Sequence, residues 1–191
     1  MVTKLSNGFL KISTGRLTLA CLVLFLIFSA LILPDQAARA EVYSGEVGSP
    51  DTSLFYTASD LYNFAEAYGA TGRAAYIRAR FTFDLIWPLV YLAFLVTAIS
   101  WLLKHTDLSW ERWGRLNLLP VAATVFDYLE NISASIVMGR YPQTTPVIAH
   151  LAGVFTLFKW IFIVASFSLL LILGSMALVR LIKARAKSTG Q

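Results

Sequence analysis

The sequence predicts an all-α integral membrane protein of four transmembrane helices in a bundle, with an external amphipathic helical cap between helices 1 and 2. Three observations carry that prediction. Of 191 residues, 57% are hydrophobic and only 14% are charged, a composition outside the range of soluble domains. Four stretches are apolar over lengths near the roughly 20 residues that a helix needs to cross a hydrocarbon core of about 30 Å. Basic residues gather at three places that fall on one side of the membrane when all four stretches cross it. The same composition excludes a disordered chain. The only cysteine, Cys21, lies inside an apolar run, which excludes a disulfide scaffold, thiol redox chemistry and a CxxC zinc site.

Residues 1–16 form a cytoplasmic N-terminus. Residues 17–34 are the first span, uncharged over 17–33, with Arg16 before it and Pro34-Asp35 after it. Ala38-Arg39-Ala40 before Glu41 resembles a signal-peptide cleavage site, but the apolar run exceeds a signal core in length, so an uncleaved anchor is expected. The external segment covers residues 35–80. Its first part, 37–52, is rich in small residues, Gly, Ser and Pro, and reads as a loop. Ser59 then caps a helix in which Leu61, Phe64, Ala65 and Tyr68 recur at helical spacing, and Gly69 stops it. A second helix begins near Thr71 or Gly72 and runs through Tyr76, Ile77 and Phe81 into the second span, residues 81–104. Together these helices make an amphipathic lid on the outer face.

Residues 105–115 form a cytoplasmic loop in which Trp110 and Trp113, with Trp101 before them, make an interfacial aromatic belt. The third span, 116–139, contains Asp127 and Glu130, and a short external turn, 140–146, follows. The fourth span, 147–180, contains Lys159 and is longer than a bilayer requires. Residues 181–191 are a basic cytoplasmic tail. Orientation rests on Lys4, Lys11, Arg16, Lys104, Arg112, Arg115, Arg180, Lys183, Arg185 and Lys187, which outnumber the external Arg39, Arg73, Arg78 and Arg80. External acids include Glu46, and Glu111 lies in the cytoplasmic loop. The expected location is a plasma or bacterial inner membrane, multi-pass, with both termini cytoplasmic. The net charge of +5 reads as attraction to the membrane surface; the basic residues are spread over separate loops, so no nucleic-acid partner is expected.

A charge at the centre of a spanning helix costs roughly 2.5 to 3.5 kcal/mol on insertion scales, so each one needs a partner or a purpose. Asp84 stands at the outer end of the second span, Asp127 and Glu130 near the middle of the third, and Lys159 in the outer half of the fourth. On the third span Thr124, Asp127, Tyr128, Asn131 and Ser135 follow helical spacing and form one polar stripe, with Glu130 about 60° to its side. That stripe must face the bundle interior, toward Lys159, Thr156 and Ser166 on the fourth span and Asp84 and Tyr91 on the second. At 1.5 Å per residue, Glu130 and Lys159 both lie on the order of 13 to 18 Å from the outer ends of their helices, so a salt bridge between them is geometrically reasonable; Asp127 lies one turn deeper, where Lys159 could reach it instead or bridge both acids. Three acids then face one lysine. Asp84 is near enough to the surface to meet Arg80 or water. Whichever of Asp127 and Glu130 does not take Lys159 either carries a proton or faces a wet cavity, and such a group could bind and release protons.

No GxSxG, HExxH, Walker loop or dinucleotide fingerprint occurs. His105 and His150 fall at opposite ends of the bundle, so no metal site is expected, and no cofactor. Asn131-Ile132-Ser133 matches a glycosylation sequon but lies within a span. Pro88 and Pro120 each remove a backbone hydrogen bond and bend their helices. The expected function is a small polytopic membrane protein binding a ligand or protons within the bundle, in transport or as a membrane accessory subunit; no catalytic residue is assigned. The alternatives are an intramembrane acid/base enzyme acting on a lipid or isoprenoid, and a structural assembly partner whose polar cluster is interhelical glue. Expected partners are the lipid bilayer, a lipid or small-molecule ligand, and a second copy or another membrane protein, for which Gly153 and Gly174 offer a contact face.

Overall fold

The computed structural model describes residues 2–106 and 108–189. Asp107 and the last two residues of the basic tail lie outside the described residues, as do the side chains of Glu46, Glu111 and Lys187. The chain is 88% helix, with no strand among the described residues. It opens with α1, Val2–Ile12, a helix not anticipated in the N-terminal segment. Ser6 on its buried side donates to the Gly114 carbonyl at 3.1 Å and accepts at its own carbonyl from Asn117 at 3.1 Å. Trp110 Nε1 donates to Asn7 Oδ1 at 2.8 Å, so one of the belt tryptophans also fastens α1.

Thr14 caps α2, Gly15–Ile27, by accepting from the Leu17 amide. A π-helical turn, Phe28–Ile32, and then α3, Leu33–Ser44, continue it without a break. The loop expected from residue 37 is therefore helical as far as Ser44. Pro34, read from the sequence as a stop, falls in the first turn of α3. The wider turn before it, in which the Leu33 amide donates to the Phe28 carbonyl, relieves the clash of the proline ring with the preceding turn.

Two 3₁₀ turns, Gly45–Val47 and Pro50–Thr52, follow. Gly45 and Gly48 adopt φ of +53° and +77°, backbone that residues with a Cβ rarely take, and they reverse the chain. Next comes α4, Ala58–Ala67. Its cap is Thr57 and not Ser59. Thr57 Oγ1 accepts from the Asp60 amide and Asp60 Oδ2 accepts from the Thr57 amide at 2.8 Å, a reciprocal capping box that also holds the Asp60 carboxyl below the usual carboxylate range. Gly69, with φ of +60°, divides α4 from α5, Gly69–Arg80. After the turn at Phe81-Thr82 comes α6, Phe83–Lys104.

A short α7, Trp110–Trp113, and a 3₁₀ turn, Gly114–Leu118, lead into α8, Leu119–Arg140. Pro120 stands in the first turn of α8, where no helical partner is lost, so the bend expected of it does not arise. Last is α9, Pro146–Thr189, whose 44 residues extend about 66 Å at 1.5 Å per residue. The basic tail expected from residue 181 is thus helical as far as Thr189.

Among the described residues, three helical stretches, Gly15–Ser44, Gly69–Lys104 and Pro146–Ala186, are long and apolar enough to cross a membrane. α8 is not among them, since Asp127, Glu130 and Asn131 dilute its apolar content. α8 packs along α9, and α6 packs on α2, α8 and α9. Two apolar clusters form the core. One joins Leu61, Ala65 and Tyr76 to Val137, Met138 and Ala152; the other joins Phe94, Leu95, Ile99 and Leu103 to Ala123 and Leu173. The buried polar residues of α8 and α9, from Thr124 to Asn131 and from Thr156 to Lys159, separate the two.

Candidate functional site

Helical spacing on α8 turns Thr124, Asp127 and Asn131 to one buried side, and the facing stretch of α9 presents Thr156 and Lys159, all less than 9% exposed. Lys159 Nζ lies 2.5 Å from Glu130 Oε2, with side chains 6% and 0% exposed. Asp127 has different company. Tyr91 Oη donates to its Oδ2 at 3.0 Å and Asn131 Nδ2 to its Oδ1 at 3.2 Å. Of the residues singled out in the sequence, Tyr128 bonds to the α6 backbone, and Thr124 to the backbone of its own helix and, at longer range, to that of α6. Tyr128 Oη donates to the Leu85 carbonyl at 2.8 Å, and Thr124 Oγ1 donates to the Pro120 carbonyl at 3.0 Å with the Pro88 carbonyl at 3.4 Å. The carbonyls around Pro88 are thus turned to α8, where the proline interrupts the hydrogen bonding of α6.

Asp84 is brought to Arg80 and not to Lys159: Arg80 Nε lies 3.0 Å from Asp84 Oδ2. The Arg80 guanidinium also pairs with Asp51 and lies 4.5 Å from the centroid of the Tyr76 ring. The predicted residues therefore divide into an outer set around Arg80 and an inner set around Lys159. Counting both, Asp51, Asp84, Asp127 and Glu130 face Arg80 and Lys159, an excess of acid.

Two members were missed in the sequence, Asp51 and Tyr56. Both belong to the irregular stretch after α3, which has no periodicity from which a buried face is read. Tyr56 is 3% exposed, and its hydroxyl donates to Glu130 Oε1 at 3.4 Å across 74 positions of sequence. Burial, with the Glu130 charge beside it, pushes the Tyr56 phenol above its ordinary value and keeps it a donor. The Tyr56 carbonyl lies against Gly153 of α9, where a Cβ would collide with it, and Trp160 Nε1 donates to the Ser53 carbonyl at 3.0 Å. Gly153, expected to serve a partner molecule, is thus covered by the chain itself. Residues 51–56 reach the polar layer from the end of the bundle where Asp51 pairs with Arg80.

An opening of about 240 Å³, lined by Arg80, Phe81, Leu85, Tyr128, Asn131 and Ile132, separates the α5–α6 turn from α8. It ends on Asn131, the residue that holds Asp127. Among the described residues no three His, Cys, Asp or Glu side chains converge as metal ligands. His105 and His150 bond instead to the Trp101 and Pro146 carbonyls, one turn away on their own helices. Comparison with models of protein families, with curated proteins and with solved structures finds nothing that matches this chain.

Proposed function

We propose that the chain crosses a membrane four times, through α2, α6, α8 and α9, with both termini cytoplasmic and residues 45–68 covering the outer end of the bundle, and that Asp127 binds a proton or a small cationic ligand inside it. The observation that carries this reading is the division of partners between the two acids of α8. Lys159 sits on Glu130, whereas Asp127 accepts from the neutral Tyr91 and Asn131. A carboxylate in hydrocarbon needs a counter-charge, and among the described residues no base forms an ion pair with Asp127. A proton or an incoming cation supplies it.

The crossing of α8 is supported by its two faces: the polar stripe is buried, while Val125, Leu129, Ile132 and Ile136 are exposed. That is the reverse of a helix lying in water and suits one surrounded by lipid. Interhelical glue is the better description of the neighbouring pair, since Glu130 and Lys159 fix the register of α8 against α9. Acid/base catalysis on a lipid requires two carboxyls free to differ in protonation. Glu130 is committed to Lys159, so binding, in transport or as an accessory subunit, is the stronger reading.

The test is Asp127→Asn in purified protein. The amide keeps an acceptor for Tyr91 and removes the proton site. Thermal stability in detergent is expected to stay level or rise, and a pH-dependent carboxyl band in the infrared difference spectrum is expected to vanish. A fall in stability as large as that of Lys159→Met, with the infrared spectrum unchanged, would overturn the proposal.

A further inference from the structure

A second cavity lies away from the acid and lysine cluster, between α3 and α5. It measures about 720 Å³. Gln36, Arg39, Ala40 and Tyr43 face it from α3 at i, i+3, i+4 and i+7, which is one side of a helix. Thr71, Ala74, Ala75 and Arg78 face it from α5 in the same register pattern. Alanines on both walls leave the space open. Both helices are continuous with membrane-crossing stretches, Gly15–Ser44 and Gly69–Lys104, so the cavity stands where the two leave the hydrocarbon. Its inner end is formed by Phe83 and Ile86, and Ile86 is 52% exposed on the apolar surface.

The charges in this groove do not balance. Arg39 pairs with Asp35 at 2.9 Å. Arg78 is exposed and, among the described residues, pairs with no acid. Two guanidinium groups thus share the groove with one carboxylate, which leaves one positive charge. Arg78 precedes Ile86 by eight residues, with the turn at Phe81-Thr82 between them, so a charged group and an apolar surface follow one another on the same wall.

We propose that the groove between α3 and α5 holds the phosphate headgroup of an anionic phospholipid, whose acyl chains run down past Phe83 and Ile86. Guanidinium groups suit a phosphate diester through paired, charge-assisted hydrogen bonds. The gradient from arginine to isoleucine suits an amphiphile entering from the bilayer. This assignment is independent of Asp127 and rests on the two continuous helices crossing the membrane.

The test uses the full chain in a neutral detergent, titrated with dioleoylphosphatidylglycerol, dioleoylphosphatidylcholine or glycerol 3-phosphate, with binding read by native mass spectrometry and thermal shift. Phosphatidylglycerol is expected to bind at least about fivefold more tightly than phosphatidylcholine, and glycerol 3-phosphate is expected to give no shift. The Arg39→Gln/Arg78→Gln variant is expected to bring the two phospholipids to within about twofold of each other with its lipid-free melting temperature unchanged, because both side chains are exposed. Ala75→Leu, which fills the groove without altering charge, is expected to weaken both lipids, and Asp127→Asn to affect neither. Equal binding of the two phospholipids, an undiminished preference in the double arginine variant, or a full response to glycerol 3-phosphate would each overturn the proposal.

Discussion

Glu130 and Lys159 are held at 2.5 Å in a setting that excludes water from both side chains. Breaking a buried pair by removing one member costs about 3–5 kcal/mol, because the other charge is left without compensation, while replacing both is far milder. Lys159→Met is therefore expected to lower stability by that amount, and the double variant Lys159→Met/Glu130→Gln to recover most of it, as read by thermal melting in detergent over a full double-mutant cycle. Asp127→Asn combined with Lys159→Met is expected to recover little, since Lys159 pairs with Glu130. This pair was legible in the sequence because two helices of known depth are effectively rulers: the distances of Glu130 and Lys159 from their outer ends agree. Asp51 and Tyr56 were not legible. Each reaches its partner from a stretch without helical phase, and the contact between Tyr56 and Glu130 depends on the turns at Gly45 and Gly48 that send the chain back into the bundle.

At the scale of elements, the segment between α3 and α4 is seated by close approach more than by area. Gly153 admits the Tyr56 carbonyl only because it has no side chain, whereas Gly174, on the same helix, has nothing within 4 Å of an added Cβ. Gly153→Ala is expected to destabilise the protein by about 1–3 kcal/mol as the segment is pushed outward, and Gly174→Ala to leave it unchanged or slightly raised; thermal melting of the two variants side by side checks this. The helices with continuous apolar runs were legible as elements. α1 was not, because its apolar residues Val2, Leu5, Phe9 and Ile12, although at helical spacing, span only 11 positions, too few to distinguish a docked helix from a charged leader. The reach of the first membrane helix past Pro34 was hidden for another reason. A proline reads as a terminator unless the turn before it widens, and the π-helical turn that does so is built from Phe28–Ile32, ordinary apolar residues without a distinctive pattern.

For the whole molecule, the open question between three and four crossings lies in α8, and it decides whether the two ends of that helix share a compartment. With Cys21 replaced, single cysteines at Ser109, before α8, and at Gln143, after it, are expected to react differently with a membrane-impermeant maleimide. Gln143→Cys labels in intact cells and Ser109→Cys labels only after permeabilisation. Equal labelling at both positions would leave α8 on one side of the membrane and remove the four-span arrangement. The pairing of α8 with α9 has a further consequence for how the protein is made. α8 leaves the ribosome with two acidic side chains in its middle and less apolar content than any of the three stretches that suffice for crossing. Lys159, the cation that pairs with Glu130, arrives 29 residues after it, and only the turn at 141–145 intervenes between the helices. The efficient substrate for the insertion machinery is then the α8–α9 hairpin, entering with Glu130 already matched, so that α8 is expected to stay outside the bilayer until Lys159 has emerged from the ribosome to meet it.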